Sequence, residues 1–211
     1  ILHPAKEVGG DLYDFYMDGN HLYFLIGDVS GKGVPASLFM AITRSLFRTL
    51  SQHVLSPAKI VTEMNNSISD NNESNMFVTL IVGILDLETG ILKLCNAGHN
   101  PPILIYPDGQ VSYLEFKTQI FVGVVEDFKY SDEEVVLEKE SKLFLYTDGV
   151  TEAENINKEL YGEEKLLEML SDNASSDVRT TVNVVVDSIA SHVKEAEASD
   201  DLTILLIQYE P

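Results

Sequence analysis

The hydrophobic period changes twice along the chain, and this constrains the fold more than any single motif. From Val34 to His53, apolar residues recur at helical spacing, with Leu38, Ile42, Leu46 and Leu50 in step. Pro57 can open a second helix, with Ile60, Val61, Met64 and Ile68 on one face and the polar stretch Ser69–Asn75 ending it. The pattern then turns to short apolar runs punctuated by turn residues. MFVTLIVGILDL, ETG and ILKLCNAG predict one β-hairpin, and PPILIY, PDG and QVSYLEF predict another. Helical spacing returns over Glu163–Leu170 and Arg179–Val193. Further strands are expected over HLYFLIG (residues 21–27), Lys142–Thr147 and Leu202–Tyr209. Helices and strands are partly segregated rather than alternating, which favours an α+β sheet-and-helix sandwich over a doubly wound sheet. With 211 residues and no internal repeat or low-complexity linker, one domain spanning residues 1–211 is expected.

Charge narrows the function classes. The chain carries 14 Lys+Arg against 34 Asp+Glu, a formal net charge of −20. Nucleic acid and anionic membrane surfaces both need a cationic face, so neither is an expected partner of the general surface. The acid excess leaves a solvated surface, a cation site, or both. A hydrophobic fraction of 45% is too high for a disordered acidic tail. The single Cys95 permits no intrachain disulfide, which suits a reducing compartment and a cytoplasmic location. No apolar run approaches the roughly 18–20 residues of a transmembrane helix. The opening ILHPAKEVGGDLYDF lacks the order of a signal peptide, and a start at Ile1 suggests a domain excised from a longer protein.

Four motifs place carboxylates at or near the ends of apolar segments, usually beside Gly or another acid. They are GGDLYD (Asp11, Asp14), IGDVSGKG (Asp28), YTDGV (Asp148) and SDDLT (Asp200, Asp201). Hard divalent cations prefer carboxylate and water oxygens. A strand fixes the carboxylate, while Gly lets backbone approach the ion. Converging strands could hold two metals about 3.5–4 Å apart, an arrangement used by phosphatases. Asp-Gly is also a common turn pair, and Asp14, Asp86 and Asp108 each fit a turn individually. GDVSGKG is not a Walker A loop, because Gly27 and Gly31 enclose only three residues and no hydroxyl follows Lys32. Lys32 is either a phosphate contact or an exposed loop lysine. Cys95, inside LKLCN, is expected to be a buried inert thiol. His99 either polarises a substrate or structures its loop, and His3, His21, His53 and His192 have no evident partners.

Taken in order, the motifs resemble the PPM-type (protein phosphatase 2C-like) metal-dependent serine/threonine phosphatases. The match is with the bacterial branch typified by the stage II sporulation phosphatase and the RsbU-like stress-response phosphatases. It rests on PAKEVGGDLYDFY, GDVSGKGVPASLFMA, FVTLIVGILDLETGILKLCNAGHNPPILI, LFLYTDGVTEAEN, ELYGEEKL and SDDLTILLIQY, and so covers nearly the whole chain. The resemblance implies two central antiparallel β-sheets sandwiched between helices. It implies two Mn²⁺ or Mg²⁺ ions. Asp11 matches the first acidic ligand, Asp28 the aspartate bridging both ions, and Val29 a backbone-carbonyl ligand. Asp148 and Asp200 match the remaining aspartates, with Asp201 the adjacent candidate if the register differs. Asp28 and Asp148 would be the essential catalytic pair.

Two departures separate this chain from eukaryotic relatives. Ser30 stands where those carry a His proposed as general acid, so leaving-group protonation has no assigned residue. His99 stands where they carry an Asp used for a third metal. The implied activity is hydrolysis of phosphoserine or phosphothreonine by metal-activated water. The implied substrate is a phosphorylated partner-switching regulator, an anti-sigma-factor antagonist with a STAS-type fold, and a sensor domain is expected upstream. Nucleic acid and direct membrane contact are not expected of this domain. The alternative is a phosphatase-like module that binds its partner without turnover.

Overall fold

The apolar runs become strands that are buried on both faces. The computed structural model describes residues 1–70, 72 and 75–210. Residues 71, 73 and 74, part of the polar stretch expected to end the second helix, lie outside the described residues. The strands are β1 (Leu2–His3), β2 (Leu12–Asp18), β3 (His21–Val29), β4 (Val78–Asp86), β5 (Ile91–Ala97), β6 (Ile103–Ile105), β7 (Val111–Tyr113), β8 (Glu133–Val136), β9 (Lys142–Tyr146) and β10 (Leu202–Gln208). The helices are α1 (Val34–Leu50), α2 (Pro57–Ser69), α3 (Glu163–Asp172) and α4 (Val178–Val193). Two five-stranded sheets result, ordered β1-β10-β9-β6-β7 and β2-β3-β4-β5-β8, with antiparallel neighbours throughout.

Side chains of a strand alternate between faces, so each central strand feeds two cores. Phe24, Ile26 and Ile81 meet Leu143, Leu145 and Leu205 between the sheets. The other faces of β3 and β4, with Tyr23, Leu25, Leu80 and Val82, pack beneath α1 and α2 through Phe47, Ile60, Val61 and Met64. On the far side Phe144, Tyr146 and Ile204 pack beneath α3 and α4 through Leu166, Leu170, Val185 and Ile189. The expected α+β sandwich, two antiparallel sheets between helices, is therefore present. Among the described residues no helix is long and apolar enough to cross a membrane.

Several elements differ from the sequence expectation. The two hairpins form, but β4–β5 belongs to one sheet and β6–β7 to the other. The strands β2 and β8 were not anticipated; LYDFYMD places acids and aromatics on a half-covered strand, which hides its period. Helix α1 ends at Leu50, and its buried face is Ala36, Thr43 and Phe47. Leu38 and Ile42 instead stand 62% and 55% exposed. Ala36 and Thr43 let the helix lie close on β2 and β3, and Phe47 fills the core at its far end.

Candidate metal centre

The acidic motifs meet at one end of the sandwich. The register Leu12↔Gly27 between β2 and β3 carries Asp11 and Asp28 to the same end of one sheet. In the other sheet, the register Ile204↔Tyr146 brings the exit of β9, with Asp148, beside the entry to β10, with Asp200 and Asp201. Four separate segments thus deliver carboxylates to one cleft, whose lining includes Asp28, Asp200 and Asp201.

Asp11 is 2% exposed and stitches the sheets together. Its Oδ2 accepts from Thr147 Oγ1 at 2.7 Å and Thr203 Oγ1 at 2.6 Å, both on the opposite sheet. Thr147 Oγ1 also accepts from the Thr203 amide at 3.0 Å. Burial raises the Asp11 carboxyl well above the ordinary carboxylate range; the two hydroxyls partly offset this, and the charges of Asp28 and Asp201 add to it. Burial likewise raises Asp28, with the charges of Asp148 and Asp200 next. Asp148 is raised by burial, then by Glu152 and Asp200. Asp11, Asp28 and Asp148 are thus harder to ionise beside their carboxylate neighbours, a cluster that favours the company of cations.

The two adjacent aspartates of SDDLT separate cleanly. Asp201 turns back onto the chain: Oδ1 accepts from the Ala5 amide at 2.8 Å, and Oδ2 from the amides of Gly10 at 2.7 Å and Asp11 at 3.4 Å. Gly9 and Gly149 permit this, since a Cβ at Gly9 would lie 2.1 Å from Asp201 Oδ2 and one at Gly149 1.9 Å from the Asp201 carbonyl oxygen. Asp200 faces the cleft instead, where Lys32 Nζ donates to its Oδ2 at 2.8 Å. The Val29 carbonyl oxygen is directed towards Gly10, where a Cβ would lie 3.0 Å away. The donors gathered here are all hard oxygens, the chemistry that suits Mg²⁺ or Mn²⁺. Among the described residues no three His, Cys, Asp or Glu side chains are already closed around a common point.

The remaining candidates play structural parts. His99 is buried; its Nδ1 lies 2.9 Å from Thr79 Oγ1, its amide donates to Asn96 Oδ1 at 2.8 Å, and Asn96 Nδ2 donates to its carbonyl at 3.0 Å. Burial lowers its pKa to about 4, so the ring is neutral near pH 7 and structures its loop. Ser30 Oγ accepts from the Phe77 amide at 2.9 Å, and its own amide donates to Phe77 O at 2.9 Å. Cys95 is buried, and that burial pushes its thiol far above the ordinary range. Asp86 and Asp108 cap turns as expected, accepting from the amides of Glu88 and Gln110. Asp14 does not; it lies within β2 and binds Arg44 and Arg48. Thr147, Thr203 and Lys32 are the site residues that sequence reasoning did not single out in these roles. The two threonines stand beside the aspartates of YTDG and DDLT, which is the signal that was there to use.

Comparison with known proteins bears on the family and the fold. The family model "Stage II sporulation protein E (SpoIIE)" matches residues 18–210. Protein IcfG of Synechocystis is 27% identical over 235 residues, covering 98% of this chain and 37% of its own length. Phosphoserine phosphatase RsbU of Bacillus subtilis is 27% identical over 209 residues, covering 99% of this chain and 62% of its own. The chain therefore spans roughly a third to two thirds of these relatives. The SiaA-PP2C domain of Pseudomonas aeruginosa superposes with a TM-score of 0.89 at 22% identity, covering 100% of this chain and 85% of that one.

Proposed function

The chain belongs to the stage II sporulation protein E family, and from that premise we propose that it is a metal-dependent protein serine/threonine phosphatase domain. The observation that carries this reading is the convergence of Asp11, Asp28, Asp148 and Asp200 from four chain segments, with burial and neighbouring charges opposing the ionisation of Asp11, Asp28 and Asp148. In this reading Asp11, Asp28, the Val29 carbonyl, Asp148 and Asp200 would hold two Mn²⁺ or Mg²⁺ ions. When bound, such ions lower the pKa of water and draw charge from phosphoryl oxygens. The placement of Asp201 on the amides of residues 5, 10 and 11 supports Asp200 as the ligand of the pair.

The chain's own groups fit direct attack by water. Thr147 and Thr203 hold Asp11 Oδ2 and leave Oδ1 free of hydroxyl partners, fixing the carboxylate's direction. Among the described residues the two candidate nucleophiles are otherwise engaged: Cys95 is buried, and Ser30 Oγ is bonded to the Phe77 amide. His99 is neutral and held by Thr79 and Asn96, which leaves protonation of the leaving serine or threonine oxygen without an assigned side chain.

The similarity to a phosphoserine phosphatase named RsbU supports a phosphorylated partner-switching regulator of STAS type as substrate. The same reading takes residues 1–211 as one catalytic domain of a longer, sensor-regulated cytoplasmic protein, an arrangement supported by the greater length of the relatives. Phosphate release from a phosphoserine STAS-type protein, a nucleotide and an aryl phosphate, each with and without Mn²⁺, tests it. Mn²⁺-dependent release from the phosphoprotein is expected. No release from any substrate would replace the enzyme by a binding module.

A further inference from the structure

Lys32 lies in a sequence that looks like a phosphate loop and is not one, between Gly31 and Gly33, both at positive φ. Its ammonium group reaches across the cleft to the segment before β10. There it donates to Asp200 Oδ2 at 2.8 Å and to the Ser199 carbonyl at 2.7 Å. The charges of Asp201 and Asp148 also act on it. The other oxygen of Asp200, Oδ1, accepts from the Asp201 amide at 2.9 Å. Both Asp200 oxygens are therefore engaged, and Oδ2 is the one held by a side chain that can move. The pair is an open strap rather than a buried bridge, with the two side chains 51% and 40% exposed. An ammonium and a divalent cation on one carboxylate oxygen repel each other, so they exchange rather than share it.

We propose that Lys32 is the resident cation of the carboxylate cleft, occupying Asp200 until a divalent ion displaces it and thereby setting the affinity of that position. This rests on the metal reading of the cleft given above. It assigns Lys32 a positioning role: without a divalent ion the lysine holds Asp200 and the segment before β10 against the loop after β3, and with one it is released.

Calorimetric titration of Mg²⁺ and Mn²⁺ into wild type, Lys32→Met and Lys32→Arg, with no substrate present, tests the exchange. Lys32→Met is expected to bind about twofold to fivefold tighter, the range of an exposed ion pair. Lys32→Arg, which keeps the charge, is expected to stay near wild type. The melting temperature of Lys32→Met should fall below wild type without metal and match it at saturating Mg²⁺. Equal or weaker divalent binding by a folded Lys32→Met would overturn the proposal, and Lys32→Gln provides a second neutral variant. Absence of divalent binding in wild type would overturn the metal reading beneath it. Because no phosphoester is present, a failure of the phosphatase assignment leaves these outcomes intact.

Discussion

Asp11 and Asp14 are three residues apart and almost equally buried, 2% and 5% exposed, yet they are treated in opposite ways. Asp14 is met by two guanidinium groups: Arg44 Nε at 3.1 Å, and Arg48 through Nε at 2.6 Å and a terminal nitrogen at 2.5 Å. Burial alone would raise its pKa, but the hydrogen bonds and charges of Arg48 and Arg44 outweigh burial and hold it below the ordinary range. Arg48 also covers the Tyr16 ring at 4.8 Å, so this carboxylate fastens α1 to β2. Asp11 receives two neutral hydroxyls and faces further carboxylates, and its pKa moves up. One chain thus contains a buried carboxylate held by two guanidinium groups and another, Asp11, whose hydrogen-bond partners are hydroxyls rather than cations. The difference separates a structural acid from one suited to an external ion.

The largest test breaks the cluster. Asp28→Asn is expected to lower Mn²⁺-dependent phosphate release by about a thousandfold or more, since it removes a carboxylate proposed as a metal ligand. The same change should raise the metal-free melting temperature at pH 8, because a repelling charge is gone. Next, Thr203→Val leaves Asp11 with Thr147 as its hydroxyl donor and should weaken Mn²⁺ binding by about 10–100-fold, read by calorimetry. On the other side of the comparison, Asp14→Asn should destabilise the fold by about 1–2 kcal/mol in denaturant unfolding, with Mn²⁺ affinity unchanged. The smallest effect is the pH dependence. Asp11 and Asp28 bind protons more tightly folded than unfolded, so metal-free stability falls as pH rises above the ordinary aspartate value of 3.8 through their raised pKa values. The contribution of Asp14 has the opposite sign, present above 3.8 and lost as pH falls towards its lowered pKa. Melting temperature against pH, in chelator and in Mg²⁺, should show the first slope only in chelator.

Much of this was legible in the sequence, and the losses have physical causes. Apolar runs such as HLYFLIG and KLFLY announced the central strands because both their faces are buried. Strand β2 escaped because Asp14 and Asp18 interrupt its alternation, and Asp14 resembled a turn residue when it was an ion-pair partner thirty residues from its Arg44. On α1 the large residues drew attention to Leu38 and Ile42, whereas the fold buries Ala36 and Thr43. The four acidic motifs could be named from their strand-end context, but their meeting depends on pairing between sheets that spacing does not encode. The resemblance already favoured Asp200 over Asp201, and the backbone amides of residues 5, 10 and 11 on Asp201 add a physical reason that spacing does not encode.

The central claim is that Asp11, Asp28, Asp148 and Asp200 form a site whose charge is completed by divalent ions. Mn²⁺ binding stoichiometry, measured by equilibrium titration on wild type and Asp28→Asn, tests this most directly. The expected result is two ions per chain in wild type and loss of that binding in the variant. Equal binding by the two proteins, or none by wild type, would contradict the account.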